Sequence, residues 1–257
     1  VYSNLDTAMT GSLFEADYLS NPGKSINTFT YRKDKSLRAT VVADVNWAPD
    51  ATTTFTGFWR RNDHGQLPSY TITGCSGATC KGTINNNHVD SIGLDIKHVL
   101  SLGWLDSRFI GGIYLDSSRN PYVSDNLSIV RDTTTGRYLS YTLNNLANPT
   151  GVRDYETAIL NYAPFLQFEL SPYNALRVVI GGRYDAIRYD FENHLTPGAS
   201  YGAANEKRSF SHLSPKLGFT YAFTQKVNVY ANASEGFTAP DVSQLYGKSA
   251  IPDLKPA

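Results

Sequence analysis

LRATVVADVNW, residues Leu37–Trp47, alternates with a period of two. Leu37, Ala39, Val41, Ala43, Val45 and Trp47 share one face, and Arg38, Thr40, Asp44 and Asn46 the other. Successive side chains of a strand point to opposite sides, so this is a strand with one apolar and one polar face. Outward from it the scheme recurs. Phe55 and Trp59 align over 53–61, and Ile92, Leu94, Ile96 and Leu100 oppose Asp95 and Lys97 over 89–100. Phe109, Ile113 and Leu115 oppose Arg108 and Asp116 over 107–116. Over 156–170, Ala158, Leu160, Tyr162, Leu166, Phe168 and Leu170 oppose Asn161, Gln167 and Glu169. Leu176, Val178, Ile180 and Tyr184 oppose Arg177, Arg183 and Asp185 over 176–190. Leu213, Leu217, Phe219, Tyr221 and Phe223 oppose Ser214, Lys216 and Thr220 over 210–223. Val227, Val229, Ala231 and Ala233 oppose Asn228 and Asn232 over 227–235. About eight strands result, most near the 9–11 residues that cross a bilayer at a tilt.

The connections sharpen this. Short turns near 48–50, Gly103, 171–174 and 224–226 alternate with long stretches at 62–88, 117–154 and 191–209, read as loops. Transmembrane barrels place tight turns on one side of the membrane and long loops on the other. Aromatic residues fit two interfacial belts, with Trp47, Tyr173 and Phe223 near the short turns. Trp59, Tyr114, Tyr155, Tyr184 and Tyr189 lie towards the long loops. The polar face carries Arg38, Asp44, Asp95, Lys97, Arg108, Glu169, Arg177, Arg183, Asp185 and Lys216. A watery lumen or a polar plug tolerates these charges, whereas a dry sandwich core would need a partner for each. A sandwich with this face in solvent remains the alternative. His98, on the apolar face, is expected to be an interface residue and not a ligand.

Composition agrees. Charged residues make up 18% of the 257, below the quarter typical of soluble domains, while Tyr reaches 17 copies. The formal net charge of zero gives no basic excess for nucleic acid. No apolar run approaches the roughly 20 residues of a membrane-spanning helix, so a membrane role implies a barrel. Cys75 and Cys80, in the polar segment TGCSGATC, are expected to form a local disulfide in an oxidising compartment. A zinc site lacks two further ligands at suitable spacing, so no metal site is expected. The chain opens at Val1 and ends in loop-like residues, and reads as an internal piece of a longer protein.

One stretch adds more than periodicity. YANASEGFTAP (Tyr230–Pro240) is followed by Ser243, Leu245, Tyr246 and Gly247, and then by IPDLKP (Ile251–Pro256). This resembles the barrel of TonB-dependent outer-membrane receptors: a strand ending in Ser-x-Gly-Phe-x-x-Pro, then Leu-Tyr, then Asn-Pro-x-Leu-x-Pro-Glu. Ile251 stands where Asn is usual and Ala257 where Glu is common. The hairpin FLQFEL (Phe165–Leu170) with LRVVIGGRYD (Leu176–Asp185), and SPKLG (Ser214–Gly218), are similar to family pieces as well. The likeness is best over about 155–256 and extends to 37. It implies an all-β, antiparallel barrel of the 22-strand type with short periplasmic turns and long extracellular loops. This chain would supply about eight middle strands, with the plug, the TonB box and the closing strands lying elsewhere.

The resemblance also implies a function. That function is energy-coupled uptake of a scarce ligand, a ferric siderophore or other iron complex, across the bacterial outer membrane. The implied partners are that ligand, the membrane lipid, and the inner-membrane TonB complex acting through a plug. No nucleic acid, cofactor, metal or catalytic group is expected. Loops on rigid scaffolds carry binding, and cations with aromatics suit anionic, aromatic chelates. The candidate contacts are therefore Arg60, Arg61, His64, Gln66 and Tyr70, with Arg119, Tyr122, Phe237 and Tyr246. A passive porin or fatty-acid channel and a secreted β-sandwich adhesin are the competing readings. A barrel enzyme is a further one, without a catalytic constellation to support it.

Overall fold

The computed structural model describes residues 1–11, 13–144 and 151–254. One antiparallel sheet dominates. Its strands are β1 (Tyr2–Ala8), β2 (Tyr31–Ala48), β3 (Ala51–Leu67), β4 (Thr73–Ser76), β5 (Thr79–Leu102) and β6 (Ser107–Arg131). They continue with β7 (Tyr138–Leu143), β8 (Gly151–Tyr173), β9 (Leu176–Asn193), β10 (Glu206–Thr224) and β11 (Val227–Ser234). Two short helices, α1 (Glu15–Ser20) and α2 (Val242–Tyr246), complete it, and no described helix is long and apolar enough to cross a membrane. The strand order is β1-β2-β3-β5-β6-β8-β9-β10-β11, with β4 beside β5 and β7 beside β6. The eight expected strands are β2, β3, β5, β6, β8, β9, β10 and β11, and each pairs with its neighbour in sequence order.

Register turns the separate apolar faces into one band. Ala43 pairs with Phe55, Phe55 with Ile96, and Ile96 with Ile113. Leu115 pairs with Tyr162, Phe168 with Ile180, Ile180 with Leu217, and Leu217 with Ala233. A slip of one residue in any pairing would send that strand's apolar set to the other face. The band is not buried: Val41 is 72% exposed, Ile92 65%, Leu166 60% and Leu213 60%. A soluble domain rarely shows so large an apolar surface, and the side chains do not gather into a dry centre. This is the outer, lipid-facing side of a barrel wall.

The stretches read as loops differ from expectation. The stretch 191–209 is strand only at its two ends and 194–205 is a connection, whereas much of 62–88 and of the described part of 117–154 continues as paired strand, because β5 and β6 run for 24 and 25 residues. At about 3.3 Å per residue each reaches roughly 80 Å, far beyond a hydrocarbon core about 30 Å thick. Above the bilayer both faces meet water, so polar residues replace the alternation while the ladder hydrogen bonds continue. The apolar packing is correspondingly displaced to this end. Leu67, Leu127, Ile129 and Cys80 form one buried cluster, and Tyr189, Phe191, Phe210, Leu245 and Tyr246 form another. Cys75 and Cys80 are bonded across the β4–β5 hairpin.

The belts need a correction as well. Trp47, Tyr173 and Phe223 are 68%, 72% and 64% exposed, and Trp59 and Tyr184 lie on the outer face too. Tyr114, Tyr155 and Tyr189 do not belong with them. Their positions in the two-residue repeat turn them inward, where Tyr114 stacks on Phe58, Tyr155 on Tyr122, and Tyr189 packs against Phe210.

Candidate functional site

The inner face is held by charge networks. Asp116, 8% exposed, accepts from Ser91 Oγ at 2.8 Å, from the Tyr114 hydroxyl at 2.8 Å, and from Arg60. Arg60 also lies over the Phe58 ring, with Arg38 on the same ring at 5.9 Å. Phe58 can lie flat because Gly93 faces it: a Cβ there would be 2.1 Å from Phe58 Cζ. Nearer the short turns, Glu169 accepts from Arg108 at 2.8 Å and also from Arg177 and Gln167. Asp116, Arg108, Glu169, Gln167 and Arg177 lie on the face that the sequence sets against the apolar one, and Tyr114, expected in a belt, joins them. The cationic partners come from other strands of the sheet, Arg60 from β3 to Asp116 on β6 and Arg108 and Arg177 from β6 and β9 to Glu169 on β8, so the wall neutralises part of its own charge. On the outer face near the short turns, Trp47 Nε1 donates to Thr53 Oγ1, which meets His98 Nδ1 at 2.8 Å. His98 thus sits in an interfacial hydrogen-bonded pair.

At the loop end, the chain after β11 folds back across the inner faces of β8, β9 and β10. The Tyr189 hydroxyl donates to the Pro240 carbonyl at 3.1 Å, and Phe191 and Tyr246 stack at 4.2 Å. His212 stacks on Phe237 at 5.8 Å and approaches Glu235 at 3.2 Å. The Asp241 side chain caps α2 by accepting from Ser243 N at 2.8 Å. Between this segment and the wall lies a cavity of about 730 Å³, lined among others by Tyr122, Arg153, Tyr155, Gln244, Tyr246 and Lys248. Tyr122 and Tyr155 stack at 5.1 Å across β6 and β8. Burial raises the Tyr155 hydroxyl above the usual phenol range and pushes Tyr246 up to about 12, so both stay neutral donors. The volume is that of a small-molecule site.

The sequence candidates divide by face. Tyr122 and Tyr246 line the cavity, and Phe237 packs in the cluster beside it. Tyr246 is 2% exposed and acts mainly as the anchor of α2. His64, Gln66 and Tyr70 stand on or beside the inner face of β3: His64 meets Asp34, Gln66 accepts from Arg32 at 3.2 Å, and Gln66 Nε2 donates to Tyr70 at 3.4 Å. Arg60 lies deeper, in the Asp116 network. Arg61 and Arg119 are on the outer face, beside Asp90 at 3.6 Å and Glu156 at 3.2 Å, and are not brought to the cavity. Arg153, Tyr155, Gln244 and Lys248 are cavity residues outside the candidate contacts of the sequence analysis. The sequence pattern assigns Tyr155 to a belt and leaves Arg153 in a stretch read as loop.

A sheet with an apolar outer band, a charged inner face and a ligand-sized hollow at its loop end defines a segment of a transmembrane β-barrel wall. The chain belongs to the TonB-dependent receptor family: the model "TonB dependent receptor-like, beta-barrel" matches residues 2–257. Among solved structures, the fold is similar to the unliganded ferric citrate transporter FecA, with a TM-score of 0.68 and 17% identity over 92% of this chain and 32% of that one. It is also similar to the siderophore receptor PiuA from Acinetobacter baumannii, at 0.57 and 12% over 81% of this chain and 33% of that one. The ferric-catecholate import receptor Fiu from E. coli K12 matches at 0.57 and 12%, over 85% of this chain and 39% of that one. This chain therefore spans about a third of the length of each of these proteins.

Proposed function

We propose that this chain forms part of the barrel of an outer-membrane receptor that takes up a scarce ligand, a ferric siderophore or other iron complex, by energy-coupled transport. On this reading the loop end faces outward and the short turns face the periplasm. The inner-membrane TonB complex drives the step through a plug supplied by the whole protein. The observation that carries the reading is the lumenal hollow, where aromatic faces (Tyr122, Tyr155) and cations (Arg153, Lys248) converge. Stacking and charge together suit an anionic chelate with flat groups. Tyr70, Gln66 and His64 extend the same inner surface, and Tyr246 and Phe237 hold its far side. The names of three structural neighbours, concerning ferric citrate, a siderophore and ferric catecholate, point in the same direction.

The test is uptake of radiolabelled iron complexes by iron-starved cells that carry or lack the whole receptor. Uptake that requires the receptor and stops when TonB is deleted is expected. Receptor-dependent uptake that persists without TonB would mean a passive channel and would overturn the proposal.

A further inference from the structure

Arg153 stands on β8 at the edge of the cavity. Its Nη2 donates to the Gly247 carbonyl, just after α2, at 2.6 Å. Its Nη1 donates to the Val152 carbonyl at 2.6 Å and to the carbonyl of Ser200, in the 194–205 connection. One guanidinium thus fastens two segments far apart in sequence to the barrel wall. Those segments also meet directly: Ala203 N donates to the Tyr246 carbonyl at 3.1 Å. Gly202, at φ 93°, permits that approach, since a Cβ there would be 2.8 Å from the same carbonyl.

The chemistry of Arg153 is unfinished. A guanidinium has five N–H donors in a fixed fork. Among the described residues three are used, all on neutral carbonyls, and no carboxylate pairs with the charge. Nε and Nη2 form the edge of the fork that can grip a carboxylate with two parallel bonds, and each has a donor not used by these carbonyls. Lys248 lines the same cavity as a second cation, and the stacked Tyr122 and Tyr155 rings flank it.

We propose that Arg153 is both the lock that positions the 194–205 connection and α2 and the bidentate subsite for a carboxylate of the ligand. This deepens, and rests on, the reading of the hollow as a ligand site. The lock pre-sets the two cavity walls before the anion arrives, so the ordering cost is met in the ligand-free protein. Lysine cannot replace arginine here, because a point charge does not span three carbonyls and a carboxylate together.

The experiment uses the full-length receptor in outer-membrane vesicles, with spin labels on cysteines introduced at Ala199 and Ser249. Cys75 and Cys80 are bonded to each other and do not compete for label. Electron–electron distance measurement without ligand reads the lock, and calorimetric titration of the purified receptor with citrate reads the subsite. Expected are a narrow distance distribution in the parent, broad ones in Arg153→Met and Arg153→Lys, and citrate binding lost in the first and weakened about tenfold in the second. Unchanged heat-dependent gel mobility shows that the variants are folded. A narrow distribution in Arg153→Met, citrate affinity unchanged in it, or no citrate binding by the parent overturns the proposal. Neither readout involves TonB or transport, so a failed uptake assay and a failed lock are separate results.

Discussion

Asp116 offers the sharpest stability test of the lumenal face. Its side chain is 10% exposed and takes three donors, from Ser91, Tyr114 and Arg60. Asp116→Leu keeps the approximate volume and removes every acceptor. Ser91, 3% exposed, then has a buried hydroxyl proton without its acceptor, and Tyr114 loses its partner. Each orphaned neutral donor costs about 1–3 kcal/mol. Breaking a fully buried ion pair costs about 3–5 kcal/mol, but the Arg60 side chain is 38% exposed and water can take over part of its solvation. Tyr114 is only half-buried, so its hydroxyl can turn to water at little cost, and with Ser91 carrying about 1–3 kcal/mol and Arg60 the rest the expected total is about 2–4 kcal/mol. Asp116→Asn retains one oxygen for Ser91 or Tyr114 and should lose about 1–2 kcal/mol, mostly from the weakened Arg60 contact. The assay is urea unfolding of the full-length receptor in detergent micelles, followed by the gel shift between folded and unfolded barrel. The order parent, Asn, Leu in falling stability is expected. A Leu variant as stable as the parent would refute the claim that this network is a built, satisfied part of the wall.

Other consequences are as direct. Gly93→Val should destabilise by about 1–3 kcal/mol in the same assay, since the new side chain displaces the Phe58 ring, and a second change, Phe58→Leu, should recover part of the loss. Tyr122→Ala and Tyr155→Ala should each weaken binding of the iron complex that supports growth by roughly 2–10-fold, as loss of a stacking face implies, while Arg61→Ala on the outer face should leave it unchanged. His88, held by hydrogen bonds to Asp90 and then Asp63, has its pKa raised above the ordinary histidine value of 6.5. Its contribution to stability is therefore fully present below pH 6.5 and is lost as pH rises through the folded-state pKa. A nuclear magnetic resonance titration should find its midpoint above 6.5, falling more in Asp90→Asn than in Asp63→Asn; a midpoint at or below 6.5 in the parent would contradict the hydrogen bonding of His88 to both carboxylates.

The faces were legible from sequence because lipid on one side and a charged lumen on the other impose a strict period of two. Ile92, Leu94 and Ile96 against Asp95 and Lys97 could be sorted without coordinates, and register joins each to the neighbour that the pattern requires. Strand length was not legible. Beyond Ile92 towards the loop end, β5 passes through Asp90, His88 and a run of asparagines, where water on both sides removes the apolar signal while backbone pairing persists. Aromatic positions misled for a related reason: Tyr114 and Tyr155 have the composition of a belt, but a one-residue offset turns them to the lumen. The candidate site was half visible. Tyr122 and Tyr246 were chosen for their chemistry, whereas Arg153 is defined by carbonyls of Ser200 and Gly247 that only the folded chain brings to it.

The most direct measurement of the two-faced wall uses single nitroxide labels at positions 94, 95, 96 and 97 of β5, in the full-length receptor reconstituted in a bilayer. Collision with oxygen, which concentrates in lipid, is compared with collision with a water-soluble nickel chelate. Labels replacing Leu94 and Ile96 should be oxygen-rich and shielded from nickel, and those replacing Asp95 and Lys97 should show the reverse. Four equal values, or the opposite parity, would contradict the assignment of the Leu94–Ile96 face to lipid.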